Sequence, residues 1–455
     1  MAHAECLQTF TSKRRVFILS DISNEPDDAE SLVRYLLYSN QFQTEGLVAC
    51  TSTWRKTKVV SNLNAHAHPQ DPYPTAEYMR SLIKKGAETY GMSAVGDNIP
   101  LSEGGQLLLE RIEAASPEPL WILCWGGTNV LASVLLKIQN TKSKEIAAAL
   151  RSKIRVYTIS DQDDTGVWIR NRYPDLFYIC SVHGWNQYGM AAWSGILGDA
   201  WYGFDKGGPD PSKINKEWIR ENIQIGPLGS TYPDYMFIPE GDTPTFLYLI
   251  QNGLGAPEHP EWGSWGGRYI ATDISAKGLP NGHYSDTVDE VVGLDRRTHK
   301  SNHATIWRWL DALSPDFNTA NHQPVIILND TRALGPLHLE LEAGSTFELD
   351  ASETYDPDRN DSLTFKRYQY KDPSATQWSI HHEVGQLKFE SLSLTGSKVR
   401  VTVPPPEKCC LELISRQALA RGQLLHIILE TLNEKLLGGG GGGAEAIGDV
   451  MRDMI

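Results

Sequence analysis

Val16-Phe17-Ile18-Leu19-Ser20-Asp21-Ile22-Ser23-Asn24-Glu25-Pro26-Asp27-Asp28 joins an unbroken apolar run to a cluster of acids, and a helical pattern follows at once. Val16 to Leu19 predict a buried strand, while Leu32, Val33, Leu36 and Leu37 fall at helical spacing between Ala29 and Tyr38. Acids at the carboxyl end of such a strand sit where open α/β sheets bind ligands. Asp21, Asp27 and Asp28 within eight residues repel one another unless a cation or hydrogen-bond donors compensate. Hard oxygen ligands suit calcium or magnesium. A purely structural role is the other reading: Asp27 and Asp28 favour the helix N-terminus through its dipole, and Asp21 caps a turn.

The pattern repeats outward from this segment. Gln43–Thr51, Leu120–Trp125 and Ile154–Ile159 predict further buried strands, with Gly105–Ala115 and Val130–Ile138 as helices between them. Strands alternating with helices imply an open, mainly parallel sheet with helices on both faces, over residues 14–320. After Pro324 the character changes. Val325–Leu328, Leu337–Leu341, Thr346–Leu349, Leu363–Tyr370, Leu387–Leu392, Lys398–Val403 and Leu424–Glu430 are short segments separated by turn residues, as in an all-β, Ig-like sandwich over 324–430. Gly438 to Gly443 is a six-glycine run, and residues 431–455 are expected to be a disordered tail. If 404–430 leave the sandwich incomplete, its open edge favours a homo-oligomer.

The chain has 455 residues, enough for two cores, and a net charge of −14. That balance argues against a nucleic-acid polymer, although a nucleoside carries no such charge. No apolar run reaches membrane-spanning length, and Met1 to Arg15 lack a secretory core. The expectation is a cytoplasmic protein, or a secreted one if the N-terminus is incomplete. Cys50, Cys124 and Cys180 lie in or beside apolar segments and read as small buried hydrophobes.

Two further segments carry chemistry. Trp121 to Asn129 runs from a strand through Gly126-Gly127 into Thr128-Asn129 before a helix; glycine lets backbone approach a ligand, and Thr128 offers a carbonyl or hydroxyl oxygen. Glu240-Gly241-Asp242-Thr243-Pro244 places Asp242 before another helical run. Each reads equally as a strand-to-helix turn with a polar cap.

Together these pieces resemble the nucleoside hydrolase superfamily, in the branch of cellulose-binding proteins with a nucleoside-hydrolase-like domain and a carboxyl-terminal β-sandwich. The segments Asp21 to Asp28, Ile159-Ser160-Asp161-Gln162-Asp163-Asp164, Trp168-Ile169-Arg170 and Trp262 to Tyr269 all look like that branch. The resemblance implies one bound calcium held by Asp28, Thr128 and Asp242, with help from Asp21 or Asn24, and places Asp27 against a sugar hydroxyl. Ser23 stands where nucleoside hydrolases carry an aspartate that binds calcium and acts as general base, and a serine hydroxyl is far too weak a base for that role. Trp168-Ile169-Arg170 replaces a Glu-x-Asn ribose pair, and Thr53 replaces an asparagine.

The expectation is a calcium-dependent hydrolase of glycosyl bonds acting on a carbohydrate or nucleoside-like small molecule. Asp21 and Asp27 are its candidate catalytic acids. Asn24, Glu25, Asn129, Asp161, Asp163, Trp168, Arg170, Trp262 and Trp265 are candidate substrate contacts. Trp262 and Trp265 serve equally well as packing residues, and Arg170 equally well as an ion-pair partner of Asp161 or Asp163. The competing expectation is a non-catalytic carbohydrate-binding protein on the same fold.

Overall fold

A computed structural model describes residues 7–10, 12–22, 25–51, 70–198, 202–272, 282–313, 324–332, 334–357, 362–375, 384–412, 415–433 and 450–454. The amino-terminal part runs β1 (Arg14–Ser20), α1 (Asp27–Leu37), β2 (Phe42–Ala49), α2 (Ala76–Ser81), β3 (Ile83–Lys85), α3 (Glu103–Glu113), β4 (Leu120–Cys124), α4 (Asn129–Thr141), α5 (Lys144–Arg151), β5 (Ile154–Ser160), α6 (Thr165–Arg172) and β6 (Phe177–Ser181). Two short strands, β7 (Tyr269–Ala271) and β8 (His283–Asp286), close one side of the sheet. The order is β3-β2-β1-β4-β5-β6-β8-β7, parallel except for β7 against β8.

Alternation along β1 shows why this segment decides the fold. Val16 and Ile18 enter the core on one face, with Trp121, Leu123 and Tyr157, whereas Phe17 and Leu19 enter the core on the other, with Ile122 and Val156. A strand that sends apolar side chains to both faces has no solvated face, so helices must cover both sides. Each such side chain contributes about 1.5–3 kcal/mol on burial. Leu19 pairs with Cys124 and Ser20 with Ala49, which brings the carboxyl ends of β1, β2 and β4 to one level.

A hairpin of β9 (Asp289–Val292) and β10 (Thr298–Ser301) precedes the second unit. That unit has two three-stranded antiparallel sheets: β11 (Thr346–Asp350), β14 (Lys398–Thr402) and β13 (Lys388–Ser391), then β12 (Leu363–Tyr370), β15 (His426–Asn433) and β16 (Val450–Met454). Leu349, Val401, Ile427 and Leu429 pack between the sheets, as in a sandwich. Three expectations change here. Val325–Leu328 is buried but makes isolated bridges, Val325 with Tyr355 and Leu328 with Thr331, in place of a ladder. Leu337–Leu341 forms no strand, and Leu339 and Leu341 are exposed. β15 continues to Asn433 and 450–454 pair with it, so the disordered tail expected from 431 is corrected for those residues; the glycine run lies outside the described residues.

The two units share a buried polar junction. Asp289 accepts from Arg268 Nε (2.7 Å), Arg308 Nη1 (2.5 Å) and Tyr370 Oη (2.7 Å), and Arg308 also meets Asp372 at 3.1 Å. Tyr370 packs edge-on against Trp309, and the Arg308 guanidinium lies 4.3 Å from the centre of its ring. Asp289, Arg268 and Asp372 are all buried, and a buried charge is tolerated only where its partners are supplied.

Candidate functional site

Asp27 and Asp28 open α1, whose N-cap is Pro26 and which has no side-chain cap, so both acids face the positive end of the helix dipole as the structural reading expects. That role does not exhaust them. Asp27, Asp28 and Asp242 each bring a carboxylate oxygen within 4.8 Å of the others. Asp28 and Asp242 are buried and Asp27 is half-buried. The capping role open to Asp242 is not used by its side chain. The helix that follows, Pro244–Leu247, is capped at Thr243, and Thr245 bonds the Asp242 carbonyl through both its amide and its hydroxyl. Neither carboxylate oxygen of Asp242 has a hydrogen-bond partner.

Electrostatics make this arrangement costly. Burial pushes the Asp242 carboxyl well up, with Asp28, Asp27, Asp21 and Glu25 adding repulsion. Burial does the same to Asp28, reinforced by the charges of Asp21 and Asp27, while a 2.5 Å hydrogen bond from Ser20 Oγ partly opposes it. Asp27 is pushed up to about 7 by burial, then by Glu25 and Asp21. Asp21 is buried, and its Cβ comes so near Gly126 that a side chain there would sit 3.0 Å away. Protonation or a cation relieves such a cluster. Two bare buried carboxylate oxygens beside two further acids fit a hard divalent cation.

An ion pair holds the two halves of the cluster together. Arg34 of α1 donates to both carboxylate oxygens of Glu240 (2.5 and 3.0 Å), and Tyr232 Oη adds a third hydrogen bond at 2.9 Å. Glu240 has φ of 53°, a left-handed conformation uncommon outside glycine, and its amide donates to Glu30 at 2.8 Å. This fastens the loop bearing Asp242 to the helix bearing Asp28. At Gly241, a Cβ would lie 2.9 Å from Asp27 Oδ2 and 3.3 Å from Trp193 Cζ3, so a side chain there would displace the Asp27 carboxylate.

Glu25 is half-buried and near enough to raise Asp27, whereas Ser23, Asn24 and Thr53 lie outside the described residues. Thr128 is buried at the N-cap of α4; its hydroxyl meets Thr165 at 2.7 Å, not its own helix. The Asn129 amide donates to Thr51 Oγ1 and the Thr89 carbonyl, which ties loops together. Asp163 accepts from the Thr165 amide and hydroxyl. Gly126 and Gly127 admit Asp21 and Asp163 rather than a bare path for ligand.

Five expected substrate contacts have other partners. Arg170 is buried and spends both terminal nitrogens on Asp161, at 2.7 and 2.6 Å, so the ion-pair reading holds for both residues. Trp168, one turn into α6, packs edge-on against Tyr173 with Arg172 over its ring. Trp265 is 1% exposed, inside the core. Trp262 stacks on His259 (4.1 Å, 7°) and abuts His426 of the sandwich; four residues earlier, Glu258 pairs with Arg155 near the start of β5, the end away from the acids.

A different aromatic group stands beside the cluster. Trp193 borders Gly241, Tyr188 lies 5.1 Å from it ring to ring, and His183 is 5.1 Å from Tyr188. Ser160 Oγ, at the end of β5, bonds His183 Nε2 at 2.7 Å and accepts from Trp193 Nε1 at 3.3 Å. Asp286 braces this wall, accepting from Ser181 Oγ, the Ala192 amide and Asn302. Tyr188 and Trp193 lie in short 3₁₀ turns without periodicity, which is why the sequence hid them; only their place after β6 pointed to the ligand edge.

Residues 15–269 match the family described as "Cellulose-binding Sde182, nucleoside hydrolase-like domain". The chain belongs to this family. Residues 346–437 match the "Cellulose-binding protein Sde0182, C-terminal domain", so the Sde182-like unit and its sandwich occur here in order. Among solved structures, a nucleoside hydrolase-related hypothetical protein from Saccharophagus degradans, associated with carbohydrate metabolism, is similar over 97% of this chain and 99% of its own, at 27% identity and a TM-score of 0.69. A search of curated proteins finds no match. Among the described residues, no helix of this Sde182-family chain is long and apolar enough to cross a membrane.

Proposed function

We propose that this protein is a calcium-dependent hydrolase of glycosyl bonds acting on a carbohydrate. The observation that carries the reading is Asp242, whose two buried carboxylate oxygens have no hydrogen-bond partner and face Asp27 and Asp28. Natural proteins rarely keep such a group without a ligand. Asp28, Asp242 and Thr128, with Asp21, would hold the cation, which when bound orients sugar hydroxyls and lowers the pKa of a coordinated water. Asp27 is the half-buried acid of the triad, so it is the one positioned to hydrogen-bond a sugar hydroxyl and to receive a proton from water. Trp193 and Tyr188 wall the acids with apolar surface, which sharpens electrostatic interactions near them.

A second reading has specific support. With Arg170 locked on Asp161 and Trp168 turned into α6, no ribose-gripping pair stands in their place. Such a site suits retention of a glycan without cleavage, in keeping with the cellulose-binding description of the family. The experiment is sugar release from a panel of nucleosides and β-linked oligosaccharides, with calcium and again with chelator, for wild type and Asp27→Asn. Calcium-dependent release lost in Asp27→Asn supports hydrolysis. Calcium-dependent affinity without release supports the binding reading, and calcium-independence in both assays removes the metal from the proposal.

A further inference from the structure

We propose that residues 336–341 form an open strand edge through which two copies of this chain pair about a two-fold axis. The segment runs from Pro336 to Leu341 without turn or bend. Among the described residues, none of its main-chain N–H or C=O groups bonds another backbone group, and no side chain reaches them. Other connectors of this unit are tied by their backbone: Asn329 to Asp350, Gly344 to Pro404, Leu419 to Cys410 and Gln423 to Cys409. Unmet backbone groups on an alternating run are a template for a strand from another chain. The apolar side is unfinished as well. Leu337 packs on the sandwich core, but Leu339 and Leu341 are 40% and 44% exposed. Both line a cavity of about 770 Å³ that Phe347, Val403 and Leu425 also line, so incoming leucines find apolar ground there.

The order of residues selects a second copy as the occupant. Side chains that face each other across an antiparallel pair share one face of the sheet, so a two-fold axis must pass through a single residue position. An axis on Leu339 sets Leu339 opposite itself, Leu337 opposite Leu341, and His338 opposite Glu340 on both sides. Each pair is then apolar with apolar or imidazole with carboxylate, the combinations that stabilise neighbouring strands. An axis one residue earlier or later would set His338 or Glu340 opposite itself. The alternation is already anchored, since Leu337 meets the core while His338 lies 5.3 Å from the Trp262 ring. A self-complementary patch of this kind closes as an isologous dimer. Its contact is short, so the dimer is expected to be weak and dependent on concentration.

The test is sedimentation velocity of the full-length protein over a series from nanomolar to high micromolar, where wild type should pass from monomer to dimer. Leu339→Lys puts two ammonium groups face to face at the axis and should weaken dimerisation about tenfold or more, with the melting temperature of the dilute protein unchanged. Leu339→Cys places two thiols where facing Cα atoms are about 4.5–5.5 Å apart, within disulfide reach. Oxidised glutathione should then link two chains through position 339, as peptide mass spectrometry reads. If Leu339→Lys unfolds, Glu340→Lys takes its place: it should weaken pairing opposite His338, and added His338→Glu should restore it. A wild type that stays monomeric throughout overturns the proposal. So does a dimer that these lysine variants leave intact, because the copies then meet elsewhere. Loss of the dimer in Leu339→Lys without a 339 to 339 link overturns the two-fold pairing.

Discussion

Replacing Asp242 with asparagine should abolish the thermal response of this protein to calcium. The side chain is 1% exposed and neither carboxylate oxygen is bonded, so the cation is its expected partner. At a calcium concentration about a hundred times the dissociation constant, binding to the folded state alone adds about 2.7 kcal/mol. Unfolding entropy is about 2.1 cal/mol/K per residue near 60 °C, so 455 residues give about 1 kcal/mol/K and a rise of roughly 3 °C if the chain unfolds as one unit. Asparagine keeps the volume but removes the charge, and its shift should be under about 1 °C under the same conditions. It also removes a buried like charge, so with chelator present the variant should melt no lower than wild type. Scanning calorimetry across a calcium titration, with a chelator control, measures both. A wild-type melting temperature indifferent to calcium, or a variant that keeps the full shift, would refute the reasoning.

Arg34→Leu leaves Glu240 buried and without its cation, and should cost about 3–5 kcal/mol in urea unfolding; Arg34→Leu/Glu240→Leu should recover most of that loss. Trp265→Ala should cost about 3–5 kcal/mol of stability through a core cavity, whereas Trp168→Ala, half-buried against Tyr173, should leave calcium and glycan affinity as in wild type. His426 is held down to about 3 by burial, then by Arg268 and His338. Its unfolded form takes a proton below about pH 6.5 while the folded form does not, so this contribution is complete above that pH and declines as pH falls toward about 3. By pH 4.5 the loss is about 3 kcal/mol, and a His426→Leu variant should lose correspondingly less between pH 7 and 4.5 by denaturant titration.

The central strands were legible because Val16–Leu19 of β1, the whole of β4 and Val156-Tyr157 of β5 are consecutive apolar residues that alternate between the two faces, a pattern that a doubly covered sheet accommodates. β7 and β8 were not, since strands as short and polar as His283–Asp286 carry no periodic signal. Leu337–Leu341 shows the opposite failure: alternation without a neighbouring strand to pair with makes no ladder. At the site, Asp21, Asp27 and Asp28 were readable from local density of charge, and Asp242 from the family resemblance. Arg170 was ambiguous because a guanidinium nine residues from Asp161 serves a ligand or a carboxylate equally well until coordinates place it. Arg34 with Glu240, more than two hundred residues apart, had no local signature at all.

The position of Asp289 bears on how this architecture can be cut or inherited. It is three residues beyond Asp286, which braces the wall of the site, yet one of the hydrogen-bond donors to its carboxylate, the Tyr370 hydroxyl, belongs to the other unit. A gene fragment ending near residue 313 would encode every acid of the cluster but expose Arg268, Arg308 and Trp309 on a face built to be covered. The boundary drawn by composition is thus not one at which recombination can act freely. A lineage that lost the sandwich would have to replace this salt-linked surface in the same step, so the two units are bound to travel together.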